Sequence, residues 1–273
     1  MSVPVPTPRS RFAQLVEEPD ALIELARVAL LVAAEEYPQL VPDLYVRRLD
    51  ILAERVRDRL SNETAPLIVL QEISRVLFTE EGFRGNTGAY YDPRNSFLND
   101  VLDRRTGIPL TLSIVYLEVG WRLDLPLEGV NFPGHFLVRH PGEAFRLLVD
   151  PFQRGEIRFE DQAQELLDRV YGGTVELKPE YLRVASRKDM LVRLLANLKN
   201  VYLNARDEAR ALAAVERILM LRPVAEELRD RGMLLARAGR TDEAVTDLRQ
   251  YLEREPDAPD AERVRLLLDE LGK

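Results

Sequence analysis

The stretch NSFLNDVLDRRTGIPLTLSIVYLEVGWRLDLPLEGVNFPGHFLVRH, residues 95–140, followed by LLVDPF at 147–152, decides how the rest of the chain is read. Within it, Gly107-Ile108-Pro109 opens an apolar helical run, PLTLSIVYLEVGWRLDL. Proline suits the first helical position, because that N–H has no partner inside the helix. Beyond this run the period changes. LEGVNF, HFLVRH and FRLLVD are short, rich in Val, Leu and Phe, and separated by Pro-Gly and Pro-Gly-Glu turns. Segments of that kind predict antiparallel strands, with HFLVRH and FRLLVD as a hairpin. The order along the chain is then a helix N-terminus, His135 at a strand start, and Asp150 at the end of a neighbouring strand.

Upstream, the pattern is helical. The first ten residues, polar and proline-rich, predict a loosely packed lead-in. From Pro19-Asp20 the apolar positions Leu22, Ile23, Leu25, Ala26, Ala29, Leu30 and Ala33 fit a helix that Tyr37-Pro38 ends. A second helix is expected from about Val41 to Leu60, with Leu44, Leu49, Ile51, Leu52 and Val56 apolar. Asn62 or Thr64 with Pro66 opens a third, its inward face being Leu67, Leu70, Ile73, Val76 and Leu77. EEGFRGNTGAYYDPRN reads as a loop. Downstream, residues 156–182 form a mixed connector with one short helix near Gln162–Tyr171. From about Asp189 the chain is helical and repetitive. Ala211, Val215, Ile218 and Pro223 recur thirty-three residues later as Ala244, Leu248, Tyr251 and Pro256. A helix-turn-helix period near 34 residues, with small residues where helices touch, resembles tetratricopeptide repeats.

Composition narrows the classes of function. The 273 residues are 46% hydrophobic and 31% charged, as in ordinary globular proteins. A net charge of −8 with interspersed signs gives no bias toward nucleic acid or anionic membrane. The chain holds no cysteine, which removes disulfides, thiolate metal ligands and cysteine nucleophiles. With two histidines besides, no metal site and no cofactor is expected. The longest apolar run, Ala29 to Ala34, is far short of the roughly 18–20 residues needed to span a bilayer. A cytoplasmic protein is the expectation.

Two elements carry the candidate chemistry. Asp150 could hold one nitrogen of His135 and fix its tautomer; the plainer readings are a structural histidine and a turn-initiating Asp-Pro. His140, at the hairpin tip, is expected to face solvent. The helix start at Gly107 and Pro109 would favour an oxyanion or thiolate through its free N–H groups. The hydroxyl nucleophile candidates there are Thr111 and Ser113, although such residues in helices usually bond a carbonyl one turn back. Asn95, Asn99, Arg105 and Gly134 are placed along the cleft. Tyr116 and Trp121 read as core.

From Pro19 to Phe152 the sequence resembles the transglutaminase-like domain of the SirB family of bacterial proteins. The resemblance is carried by EEYP at 35–38, NSFLNDVLDRRTGIPLTLSIVYLE, LEGVNFPGHFLVR and LLVDPF. In that family a tetratricopeptide tail follows, as here. Active transglutaminase-like enzymes carry Arg-x-Gly-x-Cys at the helix start, with His and Asp on later strands. By the resemblance Arg105 and Gly107 match, His135 and Asp150 match, and the cysteine falls at Pro109. A base without a nucleophile could at most activate water.

The expected architecture is α+β: a mostly helical, papain-like or transglutaminase-like core with a small antiparallel sheet, then an α-helical tetratricopeptide-type tail. Domain bounds are a flexible lead-in at 1–18, the core with its helical cap at 19–185, and repeats at 186–273. The expected function is a non-catalytic protein-interaction or regulatory module with a vestigial cleft. It would meet a protein or peptide partner through the repeats or the cleft. The alternative is a hydrolase or acyl transferase using His135 and Asp150 with water or a Thr111 or Ser113 hydroxyl.

Overall fold

Helices α1 (Pro8–Val16), α2 (Leu25–Glu36), α3 (Pro42–Leu60) and α4 (Pro66–Ser74) open the fold. The computed structural model describes residues 6–61, 63–142 and 146–272. The flexible lead-in expected over 1–18 is corrected from Pro8 onward, residues 1–5 lying outside the described ones. Thr7 accepts the Ser10 N–H in its hydroxyl at 3.1 Å, Pro8 occupies the first helical position, and Phe12 and Val16 are buried. α1 packs on α2, which is apolar nearly all round. Thr64 does not cap α4, whose N-cap is Ala65, and Asn62 lies outside the described residues. Leu44, Ile51 and Leu67 face solvent, because α3 and α4 bury only the stripes through Leu49, Leu52, Val56, Leu70 and Ile73. α4 runs on as a π-helical segment, Arg75–Glu80.

Next come strand β1 (Arg84–Gly85), α5 (Leu98–Arg104), β2 (Thr106–Gly107) and α6 (Pro109–Arg122). β1, inside what the sequence suggests is plain loop, pairs in parallel with β2. β3 (Glu128–Val130), β4 (Leu137–His140), β5 (Leu147–Asp150), β6 (Glu156–Phe159) and, after α7 (Ala163–Tyr171), β7 (Val184–Ala185) form one antiparallel sheet. Its order is β6-β5-β4-β3-β7. The three expected strands are its centre, and β6 and β7 are additions. Val130, Leu137 and Leu148 pack with Leu166 and Leu167 of α7.

α6 is buried from Pro109 to Gly120 and packs against α2, α3, α4 and β4. It carries one buried carboxylate, Glu118. That group accepts the Ala26 N–H at 2.8 Å and so caps α2 from a position 92 residues away. Arg122, one turn on, pairs with both Glu118 and Asp50.

The chain divides into two units, Met1–Met190 and Leu191–Lys273. The division falls inside α8 (Arg187–Asn204), a few residues beyond the expected bound. The start of that helix is tied to the N-terminal unit, since both Asp20 oxygens accept N–H groups, from Arg187 and Lys188. In the second unit α9 (Glu208–Leu221) and α11 (Thr241–Arg254) repeat one another, and Ala211, Val215, Ile218 and their counterparts Ala244, Leu248, Tyr251 are all buried. α10 (Ala225–Arg237) lies against α11 at Gly232, where a Cβ would come within 2.7 Å of Leu248. α12 (Ala261–Leu271) closes the array, with Val264 against Leu248 and Tyr251.

Glu118→Ala is expected to cost about 2–3 kcal/mol, the scale for stranding a buried donor and a guanidinium. A lowered urea midpoint for the N-terminal unit would register it, with Glu118→Gln recovering part.

Candidate functional site

Pro133 and Gly134 turn the chain between β3 and β4. His135 donates its N–H to the Phe132 carbonyl at 3.0 Å, and Gly134 has φ +64°, the left-handed position after a proline that glycine fills without strain. A Cβ at Gly134 would also press on Val170 and Tyr171 of α7. The turn aims His135 at the end of β5. Its Nε2 lies 2.8 Å from Asp150 Oδ1, and both side chains are buried. The same oxygen accepts the N–H groups of Phe152 and Gln153, at 3.0 and 3.1 Å, capping the short 3-10 turn at Pro151–Gln153. Asp150 is thus both a histidine partner and the turn-initiating Asp-Pro. With Nε2 held by a carboxylate, Nδ1 is the basic nitrogen, and it has no partner among the described residues.

Phe152 stands edge-on to the imidazole, ring centroids 5.7 Å apart. Its other neighbour is Gly85, where a Cβ would come within 2.5 Å of the ring. Gly85 pairs with Gly107, directly before α6. His135, Phe152, Gly85 and Gly107 therefore form one continuous wall. The signal for Gly85 in the sequence is slight, a glycine within a run of loop residues.

At the helix start, Ile108 is the N-cap and Pro109 the first residue. Thr111 Oγ1 accepts the Ile108 N–H at 3.1 Å and donates to the Asn95 carbonyl at 2.7 Å. Its partner is thus a carbonyl 16 residues away, not only the one a turn back. Gly107 is required there, because a Cβ would meet that hydroxyl at 2.7 Å. Asn95 is fully buried, its amide oxygen accepting from Asn86 and its amide nitrogen donating to Ala89 O and Tyr90 O. Ser113, also buried, donates to the Phe136 carbonyl at 3.4 Å, which sets the second turn of α6 beside the residue after His135. Arg105 turns to Glu81, at 2.8 Å. The placed residues thus fall into a His135–Asp150 pair and a separate polar relay through Thr111 and Asn95. Asn99 is buried on α5. Tyr116 is core, and Trp121 is half-buried, donating to Leu127 O. Among the described residues no group of three or more His, Asp or Glu side chains gathers as metal ligands.

His140 corrects an expectation. It is buried, because β4 continues through it, paired to Leu147; residues 143–145 of the expected turn lie outside the described ones. Burial lowers its pKa below the ordinary histidine value. A lowered folded pKa means that its contribution is intact above about pH 6.5 and is lost as pH falls through the folded value. His140→Gln should therefore flatten the decline of stability below that pH, measured by urea unfolding across a pH series. Thr111→Val keeps the shape and removes the hydroxyl's hydrogen bonds to Ile108 and Asn95. It should cost about 1–3 kcal/mol in the same assay.

A family model described as the transglutaminase-like superfamily matches residues 43–196, and one for the tetratricopeptide repeat matches 198–269. A UPF0162 protein of Xylella fastidiosa (strain 9a5c) is 39% identical over 253 residues, spanning 90% of this chain and 89% of that protein. A UPF0162 protein of Pseudomonas aeruginosa is 36% identical over 252 residues, spanning 92% and 84%. Protein SirB1 of Salmonella typhimurium is 29% identical over 236 residues, 86% of each. No solved structure matches. With a matching domain over more than half its length and relatives aligned almost end to end, the chain belongs to the transglutaminase-like superfamily, in the SirB1 and UPF0162 group, and carries a tetratricopeptide region after that domain.

Proposed function

We propose that this chain is a cytoplasmic protein-interaction module in which the transglutaminase-like cleft serves as a binding groove rather than as a site of thiol acyl transfer. One observation carries this reading. The position matched to the nucleophile is Pro109, in a chain without cysteine, and the hydroxyls nearest along α6 are buried in hydrogen bonds of their own. Activating Thr111 would mean giving up the bonds that hold the helix start. Activating Ser113 would mean freeing a hydroxyl sealed under β4. The tetratricopeptide region supplies a second contact surface, of a kind that serves extended peptides and partner helices.

A second reading has its own observation. The His135–Asp150 pair is intact, with Nδ1 left as the basic nitrogen, and such a pair could draw a proton from water during hydrolysis of an acyl substrate. His135→Ala separates the two, whereas Asp150 variants would also uncap Phe152 and Gln153. Under the interaction reading, His135→Ala leaves any residual hydrolysis of an acyl and amide panel at the wild-type level. A loss of measured turnover of a hundredfold or more, with an unchanged melting temperature, would establish the hydrolase instead.

A further inference from the structure

The second unit holds an open pocket of about 640 Å³ between the start of α10 and the segment that joins α11 to α12. That volume falls within the range of about 300–1,000 Å³ usual for ligand sites. Its apolar lining is the ring of Tyr251 with Pro256, Ala258 and Pro259. The joining segment is fixed before anything binds. Ala258 donates its N–H to the Glu255 carbonyl, Ala261 donates to the Ala258 carbonyl, and each proline sets its own φ. A wall ordered in advance loses little freedom when it is covered.

The charge of the pocket is one-sided. Four carboxylates line it, those of Glu226, Glu255, Asp257 and Asp260, against one guanidinium, Arg229. That guanidinium is engaged twice, by Asp230 at 2.7 Å and by Asp260 at 2.8 Å. Asp260 also accepts the Tyr251 hydroxyl. Glu226, Glu255 and Asp257 are exposed, and their carboxylates have no hydrogen bond or ion pair among the described residues. The arginines bordering the pocket leave them so. Arg254 donates to the Pro223 carbonyl, and Arg265 donates to that of Pro256 while pairing with Glu262. Arg263 lies 3.9 Å from Asp260, a carboxylate already partnered. Three uncompensated carboxylates from two elements therefore line one concave surface.

We infer that this pocket takes a lysine or arginine side chain from a basic segment of a partner protein. This rests on the reading of the chain as a protein-interaction module and names the class of partner for its repeat region. Lysine and arginine join an apolar stem to a cationic head. The stem suits Tyr251, Pro256 and Pro259, and the head suits carboxylates left without a partner. Glu226 stands on α10, whereas Glu255 and Asp257 stand on the joining segment. One basic side chain thus leaves charge over for its neighbours, which favours an extended segment above a lone small amine. The net charge of −8 adds a long-range attraction for such a segment.

The test uses the full chain as bait for a random dodecapeptide library displayed on phage, followed by titration of the selected peptides. Selected peptides should be rich in Lys and Arg, and their affinity should weaken as NaCl rises. In Glu226→Gln/Glu255→Gln/Asp257→Asn it should fall at least about tenfold. Glu17→Gln/Glu54→Gln/Asp58→Asn removes the same charge from the other unit and should change it less than about twofold. All six side chains are exposed, so both variants should keep the wild-type melting temperature. An equal loss in the two variants would overturn the inference, because net charge rather than the pocket would then be recognised. An acidic or uncharged consensus, or peptides indifferent to the pocket variant, would overturn it and leave the interaction reading standing. Spermidine binding more tightly than any peptide, with the same dependence on the three carboxylates, would overturn the partner class. Failure to select any peptide would overturn the inference as well, and with no captured cellular partner besides would overturn the interaction reading itself.

Discussion

Burial of α6 from Pro109 to Gly120 is the constraint on which the N-terminal unit depends. A helix with no solvent-facing side requires a cover on every side, and α2, α3, α4 and β4 supply it. Such a helix can carry polar groups only where each has a partner. Glu118 finds one in the unsatisfied N-terminus of α2, so the charge that would be costly inside the core completes a second helix instead. Tyr116 finds one in the Leu70 carbonyl. The same requirement governs the hydroxyls at the helix start. Thr111 and Ser113 are satisfied by Asn95 and Phe136 carbonyls, which makes them part of the packing.

That requirement shapes the cleft. In a thiol enzyme the first turn of such a helix keeps one reactive group in reserve. Here the first residue of the helix is Pro109, and proline brings neither a side-chain donor nor a backbone one. The histidine and aspartate remain in register because their geometry is built elsewhere, from the Pro133-Gly134 turn and the β4–β5 pairing. Structure on the sheet side can therefore persist whatever happens on the helix side. Asp150 has an added reason to persist, since it caps the turn that follows.

Much of this was legible from residues. The proline-started helix, the three central strands and the thirty-three-residue spacing each rest on a strong periodic or turn signal. β6 was not legible, because Glu156–Phe159 is short and only partly buried, and its partner β5 rather than its own composition makes it a strand. The N-terminal helix was hidden by its prolines, although Thr7-Pro8 is itself a helix-starting pair once Phe12 has a surface to bury. At His140 the ladder runs one pair further than the Pro-Gly signal implies, which puts the side chain inside rather than in solvent. Within the site, the His135–Asp150 partnership was readable from order alone. The relay from Thr111 through Asn95 to Tyr90 joins segments that no local pattern connects.

The repeat unit carries a consequence for how the protein opens. Each helix there touches chiefly its sequence neighbours, so cohesion passes along the array one interface at a time. α12 buries only Ala261 and Val264 fully, and Asp260 at its start is held by Arg229 and Tyr251. α9, α10 and α11 each bury more residues fully than α12 does. Unfolding of this unit should therefore begin in α12, with amide exchange fastest there and slower toward α9 and α10, a graded melting rather than a single cooperative step.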